Sequence, residues 1–124
     1  MNSPKSKKKQ TTHKHGVWRE SKEPTIVVVR MSGKNFRCYC IHRETFLRNP
    51  ETTECLRMEA WYDVSLWPNF VRLERNETHE YTLVFPALPA HWQTFDLWEM
   101  KGTGPHYVSG IGRNTSGVYI INLH

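Results

Sequence analysis

No stretch of this sequence approaches the roughly 18 consecutive apolar residues that a membrane-spanning helix requires. Nor does any segment hold apolar residues at the helical period of about 3.6 for long enough to build an amphipathic helix. Cysteine is scarce: Cys38, Cys40 and Cys55 are the only three, an odd number that cannot all pair within one chain and so favours reduced thiols. Residues 1–16 open with basic side chains but hold no apolar h-region, so as they stand they do not read as a signal peptide. There is no Gly-x-Ser-x-Gly elbow, no redox Cys-x-x-Cys and no internal repeat. These gaps remove helix bundles, helical membrane proteins and the enzyme classes with short local signatures.

What is present is aromatic and β-branched. The chain carries five each of Trp, Tyr and Phe within 124 residues, with a mean hydropathy of −0.65. Large rings bury much area apiece, which suits one domain with a real core rather than a disordered chain. The net charge of +5 is not spread evenly. Residues 1–23 hold seven Lys or Arg against Glu20 and Glu23, while residues 24–124 balance ten basic with ten acidic side chains. The basic character therefore belongs to an arm over 1–23, expected to be disordered, and the domain is expected over 24–124. Such an arm, with its Lys7-Lys8-Lys9 run, is able to touch nucleic acid or anionic lipid. It lacks interleaved aromatics, so no strong nucleic-acid signal follows.

Strand signals follow one another from Thr25 onward. The β-branched run Thr25–Met31 is the clearest, and Ser32-Gly33-Lys34-Asn35 supplies a turn before Phe36–His42, so these two segments read as a hairpin. Residues 43–53 read as a connecting loop. Cys55–Tyr62 reads as one strand with Leu56, Met58, Ala60 and Tyr62 on the inward face. Tyr81, Leu83 and Phe85 alternate, Pro86 and Pro89 then stop the ladder, and Phe95 and Leu97 restart it. A loop over Lys101–Pro105, an extended stretch over Tyr107–Ile111, a loop over Gly112–Gly117 and a strand over Val118–Leu123 complete the chain. Roughly seven or eight short strands with no helices between them predict an all-β antiparallel sandwich.

The segments Phe85-Pro86-Ala87-Leu88-Pro89, Thr94-Phe95-Asp96-Leu97-Trp98-Glu99 and Gly110-Ile111 resemble an uncharacterised bacterial β-sandwich module. In that family a strand ending Phe-x-x-Leu-Pro is followed by a Phe-Asp-Leu-Ile-Glu type segment and a later Gly-Ile. The resemblance covers about residues 78–111, and Trp98 stands where the family usually has an aliphatic side chain. It implies an immunoglobulin-like fold with no catalytic residues assigned. Its members are often exported and sometimes sit beside a thioredoxin-like domain, so it points to export while the chain itself shows no signal.

Among candidate sites, Trp67 before Pro68 and His91-Trp92 in the proline-bounded corner lie in places normally exposed, where an aromatic can stack on a sugar or fill a partner's pocket. The favoured alternative is that each tryptophan folds back to cover one end of the sandwich core. Cys38, Cys40 and His42 alternate along a predicted strand, and with Cys55 they are the only soft-metal or thiol constellation. Residues two apart on a strand lie about 6.6 Å apart, a gap to two zinc-bound sulfurs that rotamers can close. The spacing is not that of a known finger or knuckle, however, so Cys38 and Cys40 read first as small buried hydrophobes beside Phe36. Asp96 and Glu99 fall on opposite strand faces, which does not suit paired-carboxylate hydrolysis, and Asp96 reads as a cap on the corner's backbone amides. Gly110–Gly117 lacks the Lys-Ser/Thr ending and following helix of a phosphate loop. Asn76-Glu77-Thr78 and Asn114-Thr115-Ser116 fit the glycosylation triplet but carry little weight by themselves. The expectation is a non-catalytic interaction module binding a protein partner, with no metal and no cofactor. Two alternatives remain: a carbohydrate- or small-ligand-binding sandwich using Trp67 or Trp92, and a metal- or thiol-dependent enzyme centred on the three cysteines.

Overall fold

The structure, a computed structural model, describes residues 23–34, 38–101 and 104–123. Ten strands and no helix occur among them: β1 (Thr25–Ser32), β2 (Cys38–Tyr39), β3 (Phe46–Arg48), β4 (Cys55–Arg57), β5 (Ala60–Tyr62), β6 (Val71–Arg72), β7 (Thr78–Phe85), β8 (Thr94–Lys101), β9 (Gly104–Gly112) and β10 (Val118–Asn122). The basic arm lies outside the described residues, as does Phe36.

β1 is the spine of the first sheet, whose order is β10-β1-β7-β5. Its β-branched residues suit a central position, because Val27, Val29 and Met31 point inward while Ile26 and Val28 lie half-buried on the outer face. β7 pairs antiparallel along its whole length, Thr25 facing Phe85 and Ser32 facing Thr78. The expected inward set Tyr81, Leu83 and Phe85 is fully buried, each ring or branch contributing about 1.5–3 kcal/mol by leaving water. The second sheet runs β4-β3-β8-β9, with Leu47, Phe95 and Leu97 facing inward. A two-stranded piece, β2-β6, closes one flank.

The two larger sheets share one core. Phe95 of β8 meets Tyr119 of β10 edge-to-face at 5.0 Å, and the Tyr81 hydroxyl of β7 hydrogen-bonds to Glu99 of β8. The corner Pro86–Gln93 carries the chain from the first sheet to the second. On the outer face of the second sheet Phe46, Trp98 and Tyr107 lie opposite one another on neighbouring strands and stack nearly parallel, at 6.0 and 4.8 Å. The shorter distance matches the spacing between strands, so Trp98 and Tyr107 stand on edge and cover each other's faces.

Several expectations are corrected. Residues 25–31 and 38–42 form no hairpin, because both edges of β1 are taken, by β7 and β10. β10 runs parallel to β1, so the sheets are not wholly antiparallel. β9 delivers the chain to the end where β1 begins, and β10 must leave from there in the same direction. The segment 55–62 is two strands rather than one. After β4 the Met58 amide still donates to Thr45, the residue before β3 of the second sheet, whereas the Glu59 amide already donates to Val84 of the first. Alternation slips at that crossing, so Tyr62 is exposed while Trp61 packs against the core beneath the Arg43 guanidinium. β3 lies inside the stretch read as a loop, too short to show a period, yet Leu47 is fully buried.

Two glycines answer to geometry. A side chain at Gly33 would meet the Glu74 carbonyl at 2.2 Å, so the Ser32–Lys34 turn can pack against the Glu74–Glu77 turn only without one. Gly110, at φ +71°, sits where the β8–β9 register shifts between Phe95 and Leu97, a β-bulge needing the left-handed conformation.

Candidate functional site

The strand registers place the sequence candidates at opposite ends of the molecule. Thr25 faces Phe85, Arg48 faces Asp96 and Thr94 faces Gly112. The Pro86–Gln93 corner, the Asn49–Glu54 turn and the Arg113–Gly117 loop therefore gather at one end. The Ser32–Lys34 turn, β2, β6 and the Leu66–Phe70 loop gather at the other, since Ser32 faces Thr78 and Ile41 bridges Leu66.

At the corner end, Trp92 is not exposed: it is 0% accessible and is the largest fully buried side chain. The chain crosses here between sheets over the open end of the core, and the indole fills that opening. The turn is held by the Trp92 amide donating to the Pro89 carbonyl at 3.0 Å, and by Arg113 donating to the Pro89 and Trp92 carbonyls at 2.7 and 3.0 Å. The Trp92 Nε1 donates to Glu54 at 3.3 Å, and His91 Nε2 lies 2.6 Å from the same carboxylate oxygen. Thr52 Oγ1 is a third donor to it, at 2.7 Å. These hydrogen bonds, His91 first and Thr52 second, hold the Glu54 carboxyl below its usual range. His91 is on the surface but engaged, and of the pair only its ring can meet anything outside the chain.

Trp67 fares differently. It is 48% accessible, and Phe70 three residues on is 55% accessible. The loop carrying them is fixed rather than trailing: the Trp67 amide donates to Ile41 at 2.8 Å, the Ile41 amide to Ser65 at 3.0 Å and the Asn69 amide to Leu66 at 2.9 Å. The His42 ring stacks on Trp67 at 6.1 Å, leaving the rest of the indole open. Trp67 and Trp92 are thus separated by the length of the sandwich-like body and share no site.

The cysteines do not converge. Cys38 is exposed on β2 opposite Arg72, Cys40 is buried just beyond it, and Cys55 is exposed on β4 opposite Arg48 in another sheet. The expected common face for Cys38 and Cys40 fails because β2 ends at Tyr39, where alternation stops. Among the described residues no group of three His, Cys, Asp or Glu side chains is placed to hold a metal.

Asp96 is a cap, but not of the corner: its Oδ1 accepts from the Gly110 amide at 3.0 Å, across the β8–β9 bulge. The Gly110–Gly117 segment is the end of β9 and the loop after it, and its polar groups are engaged within the fold. Asn114 Oδ1 accepts from the Ser116 and Gly117 amides at 3.1 and 2.9 Å, so those amides are not turned toward a phosphate.

Sequence reading passed over the buried pair Tyr81–Glu99. Glu99 is 2% accessible and accepts from the Tyr81 hydroxyl, while burial, then the nearby Glu99 charge, pushes the Tyr81 phenol well up. The signal was present, since Phe95, Leu97 and Glu99 share a strand face, and continuing that alternation puts the carboxyl inside. Tyr81 stacks on Tyr39 at 5.6 Å. Burial first, then Asp63 and Glu77, pushes the Tyr39 phenol up to about 12. The pair ties the two sheets together and opens into no described cleft.

Compared with protein-family models, curated proteins and solved structures, the chain matches none of them.

Proposed function

We propose that this chain is a non-catalytic, immunoglobulin-like β-sandwich that binds a protein partner through the Leu66–Phe70 loop. Two four-stranded sheets around one core, joined by a proline-bounded corner between Phe85 and Phe95, support the immunoglobulin-like reading. The observation that carries the binding role is the pair of half-exposed rings, Trp67 and Phe70, on a loop fixed by backbone hydrogen bonds. Rings carried on a fixed backbone lose little main-chain entropy on contact, which lowers the ordering cost of an interface. The buried aromatics are committed to the core and the corner.

The test is capture from an extract of the source cells by wild-type chain and by the Trp67→Ser and Phe70→Ser variants, each checked for an unchanged thermal unfolding curve. A partner retained by the wild type and lost from both variants is the expected result. A partner retained equally by all three would overturn the reading. A second reading, sugar stacking on Trp67, is favoured by the indole being backed by His42 yet half open. Tryptophan fluorescence on addition of oligosaccharides separates the two: a saturable change lost in Trp67→Ser selects the sugar.

A further inference from the structure

Beside the same loop, β2 and β6 border a cleft of about 480 Å³ lined by Cys38, Phe70, Arg72, Leu73, Glu74 and Arg75. Leu73 is buried beneath it, and Phe70, Arg72 and Arg75 are exposed. Among the described residues, the ion pairs are Arg30–Glu80 and His91–Glu54, both elsewhere. Arg72 and Arg75 thus face the cleft with no carboxylate on either guanidinium. Two guanidinium groups against one carboxylate leave the lining net positive. Glu74 is the one acid of the lining, and the Glu77 carboxylate is drawn back to accept from the Glu74 amide at 2.8 Å.

A guanidinium presents its N–H donors in a planar fork that matches a carboxylate two bonds at a time. Two such forks beside a ring and an aliphatic floor fit an anion joined to something apolar. We propose that this cleft receives an acidic segment of the protein partner, with Asp or Glu carboxylates on Arg72 and Arg75 and a neighbouring apolar side chain against Phe70 and Leu73. This rests on the partner-binding reading above and names that partner's chemistry. A nucleic acid suits the cleft less well, because two arginines with Glu74 between them do not make a track for a phosphate backbone.

The two exposed thiols supply the assay. Cys38 lines the cleft and Cys55 lies on β4, in another sheet, while Cys40 is buried. The full chain is alkylated with iodoacetamide in the presence of an end-blocked Leu-Glu-Leu-Glu-Leu peptide, and labelling at each cysteine is followed by mass spectrometry. At saturating peptide, Cys38 labelling is expected to slow by about tenfold or more while Cys55 is unaffected. The Gln-for-Glu peptide is expected to protect neither thiol. Removing one charge-assisted contact is worth about a factor of ten in affinity, so Arg72→Gln and Arg75→Gln should each weaken protection by roughly that much. Equal protection of both thiols, protection by the Gln peptide, or no protection at any concentration would overturn the proposal. So would protection by single-stranded DNA or inorganic phosphate that matches the peptide's. The two readings fail separately: a partner lost from Trp67→Ser but held fully by Arg72→Gln and Arg75→Gln leaves the loop reading standing and removes the acidic segment.

Discussion

Trp92 and Trp67 make an instructive pair. Each sits in a connection bounded by proline, and the sequence offers the same two readings for each, exposed at the surface or folded back over an end of the core. One is 0% and the other 48% accessible. The difference lies in what each connection crosses. The corner holding Trp92 passes from one sheet to the other over the end of the core, so an apolar ring there has an opening to fill. The Leu66–Phe70 loop is held to Ile41 along one flank, Leu66 packs against the core, and the two rings stay half exposed. Here the tryptophan whose loop crosses between the layers is core, and the one on the flank is surface.

The contrast can be broken most severely at Trp92. Trp92→Ala removes a fully buried indole and is expected to cost about 3–5 kcal/mol, measured by urea unfolding. A loss below about 1 kcal/mol would mean that the ring does not close the core. Next in size is Arg113→Met, which removes the guanidinium donor from the Trp92 carbonyl and leaves the Pro89 carbonyl with the Trp92 amide. A loss of about 1–3 kcal/mol is expected, in the range for polar groups left unpaired.

The loop end is probed by alkali. The Tyr39 phenol, stacked on Tyr81 and donating to the Asp63 carbonyl at 3.3 Å, is pushed up to about 12 in the folded state. Its neutral form therefore supports the fold fully below about 10, the unfolded value, and that support is lost as pH rises through about 12. Tyr39→Phe should flatten the fall in stability over this alkaline window relative to the wild type. The corner end responds on the acid side. Glu54 is held low by His91, so its contribution is present above its unfolded pKa and disappears as pH falls through the folded one. His91→Gln should move the Glu54 titration, followed by carboxyl NMR, back toward the ordinary range. Smallest of all, Trp67→Ala should leave stability within about 0.5 kcal/mol of wild type, as expected for a surface side chain. A larger loss would place Trp67 with Trp92 and dissolve the contrast.

Much of the strand set was legible in the sequence. Tyr81–Phe85 and Phe95–Glu99 show their inward faces by alternation, because each spans five residues, and Thr25–Met31 shows itself as a strand by its β-branched run. β3 and the crossing at Met58-Glu59 did not show. Three-residue strands are too short to reveal a period, and a sheet change resets which residues face inward. The site was less legible than the fold. Trp67 was marked by its neighbours, whereas Arg72 and Arg75 looked like ordinary surface charge until β2 and β6 placed them on one cleft with Phe70.

By itself the sequence determined the all-β class, the corner at Pro86 and Pro89, and the anchoring of the core by Phe85 and Phe95. Those follow from local chemistry: a missing amide stops a ladder, and alternating apolar residues demand a buried face. Only the tertiary structure decided that β10 lies parallel beside β1, that Glu99 is bonded to Tyr81 inside the core, and that of two similar tryptophans one is sealed and one is open. Each of these depends on which segments become neighbours across many residues of chain, and no local pattern encodes that.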